Sequence, residues 1–108
     1  MGAEQFRDIC VGAATKKVIN FPIKDNGSAR DLTSHTVTTR IGTAGSSATI
    51  DRTNTITDAT AGETQFTITT SDFAASINKT FDMQIFDDDG GGQELVGFGR
   101  LIVTPTMT

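Results

Sequence analysis

The most regular hydrophobic pattern lies near the end of the chain, where two runs of β-forming residues flank a polar, glycine-rich link. In residues 81–85 (F-D-M-Q-I) apolar and polar side chains alternate, and successive side chains of a strand point to opposite faces. The link, residues 87–92 (D-D-D-G-G-G), belongs on the surface because three carboxylates are costly to bury and glycines supply positive φ. The pattern predicts a β-hairpin over residues 80–104 with one dry face.

The second arm of this hairpin is less regular than the first. Gly97 and Gly99 flank Phe98 in its first half, and a period of two returns only from Leu101 onward. Glycines inside a strand mark a bulge or a place where another backbone comes close. An isolated hairpin is marginally stable in water, so its dry face must be covered by other strands of the chain.

Shorter alternating runs upstream supply that cover. The residues that share a face in successive runs are Ile9 and Val11; Ile19, Phe21 and Ile23; Val37, Thr39 and Ile41; and Thr64, Phe66 and Ile68. Turn-forming residues separate the runs, and residues 25–28 (D-N-G-S) are among the strongest turn signals. Pro22 marks its run as an edge strand or a bulge, because proline donates no ladder hydrogen bond. Ile50 and Ile56 anchor residues 48–58, in which residues 51–54 (D-R-T-N) fit either a turn or a bulged strand, and the pairing of this region is undetermined.

These runs predict the fold class. About seven short strands separated by turns are typical of an all-β, two-sheet antiparallel β-sandwich. Ser71 and Asp72 resemble a helix N-cap, and Phe73 and Ile77 fit one side of a single helical turn, so we expect one short helical turn before the hairpin. Alternating helices are absent, which disfavours a parallel α/β fold. An open Greek-key barrel is the alternative.

Length and charge narrow the possible functions. A chain of 108 residues forms one domain, and we expect an N-terminal arm at 1–8, the sandwich at 9–105 and a C-terminal tail at 106–108. The net charge is −4 and the basic residues are scattered, so we predict no nucleic-acid partner. No stretch approaches the roughly 18 apolar residues of a membrane span, so we predict no membrane partner.

Few residues offer catalytic chemistry. His35 is the single histidine, and its neighbours Ser34 and Asp31 are close in sequence only, whereas a catalytic triad requires convergence in space. We therefore expect His35 to be a surface residue. Cys10 is the single cysteine, which excludes an intrachain disulfide and indicates a small buried hydrophobe.

The acidic run at the hairpin link is the one weak candidate for a metal site. Asp87, Asp88 and Asp89 could gather a hard cation such as Ca²⁺, which takes several carboxylate and carbonyl oxygens. The run lacks the spacing and the late glutamate of an EF-hand, and a solvated hairpin tip explains it as well. We therefore predict no metal and no cofactor.

Four segments in this order resemble a known family. They are K-D-N-G-S-A-R-D-L-T (24–33), D-A-T-A-G-E-T-Q-F-T-I-T-T-S-D (58–72), F-D-M-Q-I-F-D-D-D-G (81–90) and G-R-L-I-V-T-P (99–105). Together they are similar to the immunoglobulin-like domain of tailed-bacteriophage virion proteins, found at the N-terminus of baseplate upper proteins and in related tail and fibre proteins. The resemblance covers residues 9–105 and implies an immunoglobulin-like sandwich with a structural role in the virion and no enzymatic activity.

The resemblance also implies that the partners are other virion structural proteins, and whether the chain forms a homo-oligomer is left open. Phe6, Phe86 and Phe98 are the candidate contacts, with core packing as the alternative explanation for all three. The family domain is usually fused to further segments, and here the chain ends at Thr108, so no docking surface is assigned. A capsid decoration protein is the alternative function. A host-surface carbohydrate-binding module is less favoured, because the chain has no Trp or Tyr to form a sugar platform.

Overall fold

The computed structural model of the chain describes residues 4–25, 27–42, 48–73 and 79–105, which form eleven strands and no helix. In chain order the strands are β1 (Glu4–Gln5), β2 (Ile9–Gly12), β3 (Lys17–Pro22), β4 (Lys24–Asp25), β5 (Ser28–Ala29), β6 (Thr36–Gly42), β7 (Ala48–Thr53), β8 (Thr55–Asp58), β9 (Glu63–Ile68), β10 (Thr80–Asp88) and β11 (Gln93–Thr104). Three of the strands have only two residues. The remaining eight compare with the prediction of about seven.

The strands form two larger sheets and a small hairpin. The main sheet has the order β1-β11-β10-β6-β7, with β2 also paired to β11, and the second sheet has the order β3-β9-β8. Strands β4 and β5 form the small hairpin. Both β1 and β2 run parallel to β11, while the other pairs are antiparallel. The predicted antiparallel sandwich is confirmed, and the two parallel pairs at this edge are an addition, because alternation reports which face a residue occupies and not the direction of its partner strand.

The core lies between the two sheets, as the alternation predicts. The buried apolar residues of the main sheet are Val11, Val37, Ile41, Ile50, Phe81, Met83, Ile85, Val96, Leu101 and Val103, and those of the second sheet are Ile19, Phe21, Phe66 and Ile68. All belong to one cluster, to which Ala13, Ile23, Leu32 and Phe73 from the connections also belong. Two sheets closing on one apolar core make the fold an immunoglobulin-like all-β sandwich and not a barrel.

The predicted hairpin is confirmed as β10 and β11, and its irregular arm contains a bulge. Ile85 pairs with Gly97 while Phe86 pairs with Leu95, so Val96 is the extra residue. Both Val96 and Gly97 are buried, and Leu95 and Phe98 are exposed on either side of them. An extra residue in one strand resets its alternation. The bulge thus allows Leu95 and Phe98 to face solvent together.

The chain changes sheets at Asn54, which settles the pairing of residues 48–58. Strand β7 pairs with β6 in the main sheet, and β8 pairs with β9 in the second sheet. Among the described strands, β3 pairs with β9 alone, so the prediction of an edge strand from Pro22 is confirmed.

The predicted helical turn is not confirmed. Residues 70–73 form a turn, and the rest of the predicted segment, including Ile77, lies outside the described residues. None of the described residues belongs to a helix that could cross a membrane.

Candidate docking face and the polar clusters behind it

A group of three large apolar side chains lies on the outer face of the main sheet, around the bulge of β11. Leu95 and Phe98 of β11 are 36% and 38% exposed. Phe86 of β10 is half-buried and lies directly opposite Leu95 in the register of the hairpin. We call Phe86, Leu95 and Phe98 the outer patch. It exists because the alternation of β10 sends Phe86 outward and the bulge sends both β11 residues to the same side.

A cation borders the outer patch. The guanidinium carbon of Arg40, on β6, lies 4.6 Å from the centroid of the Phe86 ring. The same guanidinium donates to Asp51 Oδ2 at 3.2 Å and to Gln93 Oε1 at 2.9 Å. A cation over the face of an aromatic ring is attracted to it, and the hydrogen bonds to Asp51 and Gln93 hold the guanidinium in place. Phe86 is therefore the covered floor of the patch, and Leu95 and Phe98 are its accessible part.

The third candidate contact, Phe6, is not part of this patch. Its ring packs on Phe21 of the second sheet, with centroids 5.2 Å apart and planes inclined by 60°. It is half-buried and packs against the core. The structure thus brings Phe86 and Phe98 together on one face and places Phe6 at the core side of the β11 edge.

The acidic run does not form a solvated tip, because its first member points into the protein. The Asp87 side chain is 0% exposed, since β10 extends to Asp88 and the inward parity of Phe81, Met83 and Ile85 continues to residue 87. Arg30 Nε forms an ion pair with Asp87 Oδ2 at 2.9 Å, and Nδ1 of His35 lies 2.9 and 3.0 Å from the two carboxylate oxygens of Asp87. Because a carboxylate only accepts, this geometry assigns the Nδ1 proton to His35.

Arg30 also contacts the second arm of the hairpin, through Glu94 of β11. The NH1 and NH2 groups of Arg30 donate to Glu94 Oε2 and Oε1 at 3.1 and 2.9 Å, a bidentate pair. This hydrogen bonding raises the pKa of Arg30 and lowers the pKa of Glu94. We call Arg30, His35, Asp87 and Glu94 the charged cluster. It fastens the connection after β5 to both arms of the hairpin.

The predicted candidates for a metal site do not converge. Asp88 Oδ1 accepts from the Gly90 amide at 2.8 Å, and Asp89 Oδ1 accepts from the Gly91 amide at 2.9 Å, so both close local turns. No group of three or more His, Cys, Asp or Glu side chains suited to a metal occurs within the described ranges.

The other chemically distinctive residues also differ from expectation. Cys10 is exposed on β2, so the prediction of a buried residue is wrong. His35 is only partly exposed, and the carboxylate that contacts it belongs to Asp87. The carboxylate of Asp31, which is nearer in sequence, instead accepts from Thr33.

A surface depression of about 270 Å³ lies elsewhere, on the second sheet. Its lining residues are Asn20, Pro22, Thr57, Glu63 and Thr64.

Arg52 links the main sheet to the second sheet and to the turn that follows β9. Arg52 of β7 makes a bidentate pair with Asp72 at 2.9 and 3.0 Å and donates to the Thr67 carbonyl of β9 at 2.8 Å. The hydrogen bond from Arg52 holds the pKa of Asp72 below its usual value and raises the pKa of Arg52. Main and second sheets are therefore held together at this edge by charge as well as by the core.

A buried polar chain holds the point where the strand changes sheets. Thr39 Oγ1 donates to Asn54 Oδ1 at 2.6 Å, Asn54 Nδ2 donates to Thr64 Oγ1 at 3.2 Å, and Thr64 Oγ1 donates to the Phe21 carbonyl at 3.0 Å. The three side chains are buried. Each of these three buried side chains therefore has a hydrogen-bond partner, which removes most of the cost of burying it.

Replacing Asn54 by alanine should lower the free energy of unfolding by about 2–3 kcal/mol, since two buried hydroxyls lose a partner. The change is measured by urea denaturation. Asn20→Ala, at an exposed position of β3, is the control and should change stability by no more than about 0.5 kcal/mol. Equal effects of the two substitutions would show that the buried chain does not stabilise the fold.

These contacts define a class of protein: a β-sandwich scaffold whose buried charges hold strands and loops together and whose outer sheet face presents apolar side chains. The chain belongs to the BppU N-terminal domain family, whose model matches residues 3–95. Among solved structures it is similar to the N-terminal domain of phage TP901-1 ORF48, with a TM-score of 0.61 and 16% identity over 95% of this chain and 85% of that one. At this identity the likeness shows the fold alone. No curated protein matches the chain.

The family membership confirms the resemblance seen in the sequence. The family is one of phage baseplate structural domains, which gives the chain a structural role in the phage tail or baseplate and a location in the virion. It favours the tail apparatus over the capsid shell.

Proposed function

We propose that the chain is a non-enzymatic docking module of the tail, baseplate or fibre apparatus, and that the outer patch binds a neighbouring virion protein. The observation that carries the proposal is the pair of exposed side chains, Leu95 and Phe98, on one face of the main sheet. Interface centres are enriched in aromatic side chains beside arginine, and Arg40 with Phe86 supplies this combination. The proposed docking unit is the sandwich of residues 9–105.

The polar clusters support a structural role. Both carboxylate oxygens of Asp87 lie within hydrogen-bonding distance of His35, and one of them also forms an ion pair with Arg30. Arg52 donates to both oxygens of Asp72. A general acid or base must instead reach a substrate proton. These carboxylates therefore hold strands and loops in place, as a structural role requires.

Phe98→Ala should reduce incorporation of the protein into phage particles, because truncating an aromatic hot spot typically costs about 2 kcal/mol, or about thirtyfold in affinity. The measurement is complementation of a phage that lacks the protein, followed by quantitative mass spectrometry of purified particles. Val18→Ala is the matched control, because Val18 is 46% exposed but lies on β3 of the second sheet.

Normal incorporation of Phe98→Ala would contradict the outer patch as the docking site. The same particles test the capsid alternative, since a copy number matching the shell subunits rather than the tail would favour a decoration protein. Urea denaturation of both variants checks that neither effect arises from a loss of folding.

A further inference from the structure

Strand β1 is held at the edge of β11 by a two-residue pairing and one further backbone hydrogen bond. Glu4 and Gln5 pair in parallel with Gly97 and Phe98, and the Phe6 amide donates to the Phe98 carbonyl at 2.8 Å. The Phe6 ring then turns inward against Phe21. We call residues 4–6 the anchor segment.

The site that receives this segment is shaped for a phenyl ring. A Cβ on Gly97 would overlap the Phe6 ring, with Cζ at 2.9 Å, and a Cβ on Gly99 would lie 3.3 Å from the Phe6 carbonyl oxygen. Both glycines therefore serve the close approach of another strand, one of the two explanations that the sequence left open. Gly97, Gly99 and Phe21 form what we call the ring slot.

The anchor segment is separable from the rest of the sandwich. Arg7 and Asp8, which follow it, are exposed, and β2 makes its own pairing with β11 at residues 101–104. Phe6 packs against the buried cluster from a half-buried position and is not one of its fully buried members. The pairing of the anchor segment with residues 97–98 of β11 is therefore separate from the pairing of β2 with residues 101–104.

We propose that the anchor segment exchanges between copies, so that residues 4–6 of one copy occupy the ring slot of a second copy. The occupant is a second copy because an identical segment makes the same backbone bonds and ring contacts in trans as in cis, and such exchange is a low-cost route to association. Arg7 and Asp8 tether the anchor segment to its own sandwich, so its effective concentration at its own ring slot is on the order of millimolar. Exchange is thus a minor event in dilute solution and becomes competitive where copies lie side by side.

Disulfide trapping between two full-length variants tests the exchange. Gln5 and Phe98 are register partners, so Cys10→Ser/Gln5→Cys is mixed with Cys10→Ser/Phe98→Cys under mild oxidation. We expect a covalent dimer whose crosslinked peptide joins positions 5 and 98, identified by mass spectrometry. Neither variant alone can form this linkage. Adding Phe6→Ala to the first variant should abolish it, since the ring no longer enters the slot.

The matched control uses the neighbouring parallel pair on the same edge. Cys10 and Ile102 are register partners between β2 and β11, so the wild-type chain is mixed with Cys10→Ser/Ile102→Cys. Strand β2 contributes Val11 to the core and should stay in cis, which yields no crosslink beyond random collision. If the 5–98 linkage is no more abundant than the 10–102 linkage, or if it persists with Phe6→Ala, the exchange is disproved.

Discussion

Replacing Asp87 by alanine should destabilise the protein by about 3 kcal/mol, near the lower end of the range for removing one partner of a buried ion pair. The Asp87 side chain is fully buried, and its loss leaves Arg30 Nε and His35 Nδ1 without the carboxylate they share. The cost stays near the lower end because Arg30 keeps its bidentate pair with Glu94. Urea denaturation followed by circular dichroism measures the shift.

The control for this prediction lies on the same strand. Asp82 is exposed on the outer face of β10, and Asp82→Ala should change stability by no more than about 0.5 kcal/mol. If Asp87→Ala is as mild as Asp82→Ala, the charged cluster does not hold the hairpin.

Replacing Gly62 by alanine should also cost about 3 kcal/mol, through the backbone. Gly62 has φ +70, and an added Cβ would lie 2.5 Å from the Ile23 carbonyl oxygen and 2.7 Å from that of Arg30. The left-handed conformation alone costs a residue with a Cβ roughly 1–2 kcal/mol. The remainder arises because these segments are bonded together: the Ile23 amide donates to the Gly62 carbonyl at 2.7 Å, and the Arg30 amide donates to the Ile23 carbonyl at 3.0 Å.

Gly27 separates the two contributions to this cost. It has φ +83, and an added Cβ would meet nothing within 4 Å. Gly27→Ala should therefore show only the conformational penalty of roughly 1–2 kcal/mol. Thermal and urea denaturation of both variants measure the difference. Equal losses of stability would mean that crowding at Gly62 adds nothing.

The two glycine positions also show how far turn chemistry can be predicted. Both lie in segments whose composition indicates a turn, and both have positive φ. That Gly62 touches the segment from Ile23 to Arg30 depends on a contact across about 35 residues of chain, which no local pattern reports. The charged cluster is similar, because Arg30 and Glu94 are 64 residues apart. The one local signal for the cluster is the parity of β10, which points Asp87 inward.

The candidate docking residues divide in the same way. The parity of β10 predicts that Phe86 faces outward, and the structure agrees. Glycines on both sides of Phe98 indicate a bulge or a close approach, and both occur: the bulge is at Val96 and the approaching strand carries Phe6. Which segment fills the slot could not be read from the pattern, since a two-residue parallel strand has no periodicity of its own.

The sequence by itself determined the longer alternating strands, the face that most of their residues occupy, the hairpin and the family resemblance, because alternation and turn chemistry act between near neighbours. Only the tertiary structure decided that β1 and β2 run parallel to β11, that Asn54 carries the chain between sheets, and that Asp87 is a buried partner of Arg30. Those features depend on pairing between distant segments. Pairing is selected by the summed burial and hydrogen bonding of the whole sandwich, which no short stretch contains.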